Sequence, residues 1–350
     1  MLIEDFKLEN WIAKYEKYTK YDLSQTCVQV LTVKELEELC DLELDLKNIR
    51  LSYGELYGSH SLKSAICPLY SNCNIHNITV THGGIGANEL ALKTFINKGD
   101  KVVCIIPCYQ QIYSIPKFYG ADVYLTDIEN LEKTANGAKL ICLVNPNNPT
   151  GLKFTDEQIN LIINTARKNG SYIFADEAYR GISYIKSFYD LYEKAIVTGS
   201  MSKAYSLAGI RVGWVAAEKE IIDKINLNRE YNTISISPLD DAIAAMALNN
   251  HDKIIKRNCN IINKNKNLVN DFLLKTGYSW LVEPNAAAIG CVKYNSTLTS
   301  AEFCENLVKN TGILLIPASV FEYENFFRIG FGMDKTYLKE ALEKFVNYVL

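Results

Sequence analysis

SMSKAYSLAGIRVGW, residues 200–214, follows without a break on AIVTG, residues 195–199, a short run with the β-branched and apolar composition of a buried strand. Lys203 therefore stands just past a strand end, where open α/β sheets place their ligand crevice. Ser200 and Ser202 set hydroxyl donors beside it, and Arg211 adds a fixed positive charge. A lysine in the company of two hydroxyls and a guanidinium is a set suited to binding phosphate.

Upstream the same grammar repeats. NITVTHGG (77–84), KVVCIIP (101–107), DVYLTD (122–127), KLICLVN (139–145) and SYIFADE (171–177) read as further strands, and VGWVAA (212–217) as the strand after Lys203. Helical patterns separate them, over residues 87–97, after Cys108, and after Thr155. Thr155 and Gln158 form a capping-box pair ahead of Ile159, Ile162, Ile163 and Ala166, with Gly170 as the stop. Strands this uniformly apolar suit a mostly parallel sheet covered by helices on both faces, an α/β fold.

After Pro238 the pattern changes. Residues 240–275 predict one long helix; YSWLVE (278–283) and AAIGCVKY (287–294) read as strands. A helix from Ser300, a short GILLIP run (312–317), FFRIGFG (326–332) and a terminal helix from Asp334 complete the chain. The expected organisation is a large domain over residues 46–238 and a smaller α+β domain over 239–350. Residues 1–45 are expected to join the smaller one, because WIAKYEKY (11–18) and VKELEELC (33–40) are amphipathic.

Composition narrows the partners. At 350 residues two domains are the default. A net charge of −3 and a pI near 5.9 give no basic footprint for nucleic acid and no polybasic patch for a membrane. MLIEDFKLENW, at the start, lacks the basic-then-apolar pattern of a secretory signal, and no apolar run approaches a membrane span, so the expectation is cytoplasmic. The ten cysteines include no C-x-x-C pair and the four histidines are dispersed, so no structural metal is expected.

Three more segments stand at strand ends. NPNNPTG (145–151) closes KLICLV with a proline-rich turn, and ADEAY (175–179) puts Asp176 and Tyr179 at the end of SYIF. THGGIGAN (81–88) joins a strand to a helix through three glycines, a geometry that exposes backbone N–H groups to an anion.

Taken in this order, from about Tyr53 to Gly332, these motifs resemble the fold-type-I pyridoxal-phosphate enzymes, specifically the class I/II aminotransferases. The S-x-S-K-x-x-x-x-x-G-x-R-x-G-W and N-P-x-N-P-T-G segments are highly specific for that family. The resemblance implies pyridoxal 5'-phosphate as cofactor, an L-amino acid and a 2-oxo acid as substrates, and a homodimer with shared active sites. It implies that Lys203 carries the cofactor as a Schiff base and that Asp176 faces the ring nitrogen. Asn148 and Tyr179 would bond the 3-oxygen, and Tyr109 would stack on the ring. The phosphate would lie against Gly84, Ile85 and Gly86 with Ser200, Ser202 and Arg211. Arg328 would grip the substrate α-carboxylate, aided by Asn148, and Tyr53 would reach the phosphate of the neighbouring subunit. FKLENW (6–11), YEKY (15–18) and a Tyr-x-Leu-Ser run at 21–24 are similar to a subgroup that includes capreomycidine synthase, which uses this fold for elimination and ring closure on a hydroxylated arginine. That makes a lyase or cyclase the alternative to amino transfer.

Overall fold

The computed structural model describes residues 3–350. Its larger sheet has seven strands in the order Ile78–His82, Val212–Ala217, Ala195–Ser200, Tyr172–Asp176, Leu140–Val144, Lys101–Ile105, Asp122–Thr126. Val212–Ala217 runs antiparallel to both its neighbours, and every other pairing is parallel. Each strand read from the sequence is therefore present, in a mixed, mostly parallel sheet.

Register brings the motifs together. Asp176 lies opposite Val144 on one side and Thr198 on the other, so the segments that follow these strands emerge along one edge. Ser200 and Thr81 both pair with Gly213, which ties the two ends of the phosphate-binding segments to one row.

Helix Asp156–Asn169 is built as the spacing implies. The Thr155 side chain accepts from the Gln158 backbone, the Gln158 side chain accepts in return, and Gly170 closes the helix at φ 67°. Helix Gly83–Phe95 starts four residues earlier than expected: the glycines form its first turn.

The stretch expected as one helix over 240–275 is two, Pro238–Asn249 and His251–Thr276. Asn250 makes the break, its backbone at φ −120° and its side chain donating to the Met246 carbonyl at 3.0 Å. An asparagine that competes for the backbone in this way ends a helix that periodicity alone would continue.

The smaller sheet is antiparallel, in the order Ile316–Pro317, Phe326–Gly330, Ile289–Lys293, Ser279–Trp280. The GILLIP run divides, because Ile313–Leu314 pairs instead with Tyr21–Asp22. Its core is aromatic: Phe303 stacks on Tyr294 at 4.4 Å and on Phe327 at 5.7 Å, with Phe345 alongside. Burying such rings contributes roughly 1.5–3 kcal/mol each relative to exposure. The N-terminal residues touch both cores. Tyr21, Leu23 and Val28 pack with the smaller sheet, and Leu36 and Cys40 with the larger.

Candidate active site

At the edge where the motifs converge lies a cavity of about 410 Å³. Of the residues singled out in the sequence, Gly84, Ile85, Tyr109, Asn148, Asp176, Tyr179, Ser200, Ser202, Lys203, Arg211 and Arg328 all line it.

One end is a cradle. Helix Gly83–Phe95 opens with Gly83 at φ 69°, and a Cβ there would stand 2.7 Å from Arg211 Nη2. A Cβ on Gly213 would stand 2.4 Å from the Gly83 carbonyl carbon. Only glycine permits the helix N-terminus, the strand end and the guanidinium to approach so closely. Ser200 Oγ accepts from the Ser202 N–H at 3.1 Å, and both side chains are buried. Helix-end N–H groups, hydroxyls and a guanidinium converging on one hollow fit a phosphate.

Deeper in the cavity sits Asp176. Burial pushes its carboxyl above the usual range, while the Ala178 N–H at 3.0 Å, the Asn88 amide at 2.8 Å and the charge of Lys203 pull it down. A buried carboxylate so placed favours a cationic ring N–H as its neighbour. Lys203 reaches in from the strand end and donates to Thr26 Oγ1 at 2.7 Å, with Cys27 Sγ at 3.8 Å. Tyr179 is buried and backed by Ala287 and Ile289, so the alanine run after Pro284 supplies the small contacts that seat the phenol.

Arg328 also lines the cavity. Its guanidinium is 1% exposed, donating from Nη1 to Asn148 Oδ1 and from Nη2 to the Ser24 carbonyl, both at 2.8 Å. Nε is buried without a partner among the described residues. Desolvation lowers its pKa from the ordinary arginine value, partly offset by Tyr179. Because arginine can only donate, Asn148 must turn its oxygen toward Arg328, which leaves its NH₂ facing elsewhere. An arginine this buried, with unused N–H groups, is prepared for an anion.

Two expected residues lie elsewhere. Gly86 is one step along the helix and borders a separate recess with His82 and Glu89. Tyr53 is 78% exposed and lies beside Arg50, Pro238 and Asp241, away from the cavity of its own chain.

The sequence reading also missed residues. Asn88 is buried, donates to Asp176 and Gln111, and accepts from Thr198 Oγ1 at 2.6 Å. Its position at the end of THGGIGAN was the available signal, since an amide on an apolar helix face needs a buried partner. Ser24, Gln25 and Thr26, and Leu8, Glu9 and Ile12 of helix Lys7–Tyr15, also line the cavity. Leu8 and Glu9 fall in FKLENW and Ser24 in the Tyr-x-Leu-Ser run, but nothing local gives them a place in the site, because that depends on crossing to strands far along the chain.

The hollow with its anion cradle, buried carboxylate and free lysine fits pyridoxal 5'-phosphate. Residues 19–345 match the family model described as aminotransferase class I and II. The chain belongs to that family. Its cofactor is accordingly pyridoxal 5'-phosphate.

A PLP-dependent aminotransferase from Streptococcus suis 89-1591 superimposes with a TM-score of 0.95 at 32% identity, covering 99% of this chain and 98% of that one. Capreomycidine synthase of Streptomyces vinaceus is 24% identical over 96% of this chain and 91% of its own length. A PLP-dependent cyclase, OrfR, has a TM-score of 0.90 at 21% identity, covering 100% of this chain and 98% of that one, a likeness of fold. Among the described residues no helix is long and apolar enough to cross a membrane, and no group of three or more His, Cys, Asp or Glu residues is placed to hold a metal ion.

Proposed function

We propose that this aminotransferase-family enzyme moves the amino group of an L-amino acid to a 2-oxo acid. The observation that carries this reading is that Lys203 and Arg328 line one cavity, with Asn148 bonded to the latter at 2.8 Å. Pyridoxal phosphate, when bound, supplies an electron sink that acidifies the substrate α-carbon.

The residues divide the remaining work. Gly84, Ile85, Ser200, Ser202 and Arg211 hold the phosphate, and Tyr109 covers the ring, itself packed on Phe6 with centroids 5.2 Å apart. Asp176, held by Asn88, would keep a proton on the ring nitrogen, and Asn148 and Tyr179 would bond the 3-oxygen. Lys203 attaches the cofactor through Nζ. Its amine, when free, would be the group in the cavity suited to moving the proton at the substrate α-carbon. Arg328 would hold the α-carboxylate and so orient the substrate in the cavity. Leu8 and Ile12 exclude water from above.

Two such chains form the working unit in this reading. Leu51, Tyr53, Leu56, Tyr231 and Ile234 are all exposed, an apolar set that a second copy would cover. Tyr53 then reaches the partner's phosphate.

The test is transfer of ¹⁵N from a panel of labelled L-amino acids to 2-oxo acid acceptors. Labelled product amino acid in step with keto acid release supports the reading. A second reading, elimination or ring closure, is favoured by the near-full-length likeness to capreomycidine synthase. Substrate consumption with no need of an acceptor, yielding an unsaturated or cyclic product, would establish it instead.

A further inference from the structure

We infer that Glu9 recognises the far end of the substrate, and that the preferred substrate is an amino acid carrying a cationic group on an aliphatic stem. This rests on the reading of the cavity as an amino-acid site with Arg328 at the α-carboxylate.

The charge inventory of the cavity leads there. Lys203, Arg211 and Arg328 are its cations, and each already has a place on the cofactor or the α-carboxylate. Its acidic residues are Asp176 and Glu9. Asp176 is deep and bonded to Asn88 and Ala178. Glu9 lines the cavity and is exposed. Its neighbours Lys7 and Glu4 are paired with Glu322 and Lys117, whereas Glu9 has no ion pair among the described residues. Its negative charge is felt inside the cavity, where burial first and Glu9 next raise the pKa of the Tyr109 phenol.

Geometry makes Glu9 a fixed feature of the site. Helix Lys7–Tyr15 is pinned at its start by the Lys7 N–H to Gln110 Oε1 at 2.8 Å, and by Gln110 Nε2 to the Asp5 carbonyl at 2.7 Å. Trp11 Nε1 donates to the Leu315 carbonyl at 2.9 Å, and Leu8 is buried against Ile316, Val320 and Phe321. Leu8 and Ile12, one helical turn apart, line the cavity beside Glu9. A methylene stem would run along that apolar pair and end at the carboxylate. An acidic side chain would meet Glu9 with no cation of this chain left to offset it.

A glutamate in the first turn of a helix also complements the helix dipole, a role indifferent to the substrate. Substrate dependence separates the two. KM and kcat are measured for L-ornithine, L-lysine, L-norleucine and L-glutamate with the wild-type holoenzyme, Glu9→Gln and Glu9→Lys. Calorimetric titration with α-methylornithine reads binding independently of turnover.

Glu9→Gln is expected to raise KM for the cationic substrates about tenfold, as for one charge-assisted contact partly screened by water, with kcat little changed. KM for norleucine stays within twofold. Glu9→Lys turns the preference toward glutamate. Equal losses for ornithine and norleucine, or a wild-type preference for glutamate, would overturn the inference. Tight α-methylornithine binding that weakens in Glu9→Gln, without amino transfer from any donor, would sustain it while removing the transamination reading.

Discussion

Arg328→Lys keeps the positive charge but changes the shape of the donor, and the structure sets what is lost. Of the five guanidinium N–H groups, two are committed, to Asn148 Oδ1 and to the Ser24 carbonyl, each at 2.8 Å. The three others, including the orphaned buried Nε, are those able to form a two-pronged pair with a carboxylate. A lysine brings a single nitrogen to a wall that is 1% exposed and must serve Asn148, Ser24 and the substrate with it. One charge-assisted hydrogen bond to the substrate is then missing, about 1.5–3 kcal/mol, equivalent to a rise in KM of roughly 10- to 150-fold. Steady-state kinetics with the amino donor give the value. Cofactor content and the circular dichroism spectrum serve as controls, since neither the phosphate cradle nor Asp176 is touched. A folded, cofactor-loaded variant whose KM stays within twofold of wild type would remove Arg328 from carboxylate binding.

Reduction of the holoenzyme with borohydride, followed by peptide mass mapping, should place the pyridoxyl group on Lys203; a label on another lysine contradicts the assignment. Mixing Tyr53→Phe with Lys203→Ala subunits should restore activity, because each mixed dimer holds one site with both defects and one with neither, giving about a quarter of wild-type turnover at equal proportions. No recovery after confirmed subunit exchange argues against shared sites. Asn88→Ala leaves Asp176 a hydrogen bond short and should lower kcat about tenfold or more, with the cofactor's absorbance maximum displaced, while Asn88→Asp should do worse by setting a second carboxylate beside the first. Glu177, 2% exposed, has its carboxyl pushed up to about 7 by burial, against the pull of Arg180 and the Phe188 N–H. Its folded-state pKa lies above the unfolded value of 4.5, so its contribution is fully present below pH 4.5 and is lost as pH rises through 7. Denaturant titrations of wild type and Glu177→Gln should therefore diverge by about 3 kcal/mol in the variant's favour between pH 4.5 and 8; parallel curves would refute it.

Local chemistry made much of this molecule legible. Strands such as Leu140–Val144 and Ala195–Ser200 announce themselves because both faces are buried, so every position is apolar. Lys203, Asp176 and Asn148 could be found because each sits at or a few residues past the end of such a strand. Glu9 and Ser24 could not, since they matter only through contacts with residues hundreds of positions away. The helix break at Asn250 was hidden for a different reason. Apolar spacing continues through it, and the decisive event is one side chain capturing one carbonyl. Tyr53 lies outside its own cavity, so the role proposed for it requires a second copy and not the fold of one chain.

The roof over the cavity also sets an order of assembly. Helix Lys7–Tyr15 leaves the ribosome about 300 residues ahead of the partners that seat Leu8, which are Ile316, Val320 and Phe321. At a synthesis rate of about 5–20 residues per second, the helix waits on the order of half a minute for its socket. Throughout that interval the nascent sheet can form and its glycine cradle can close, while Leu8, Trp11 and Ile12 have nowhere to dock. A chain stopped before residue 315 would thus display an open hollow beneath an unattached apolar helix, and would be a target for holdase chaperones.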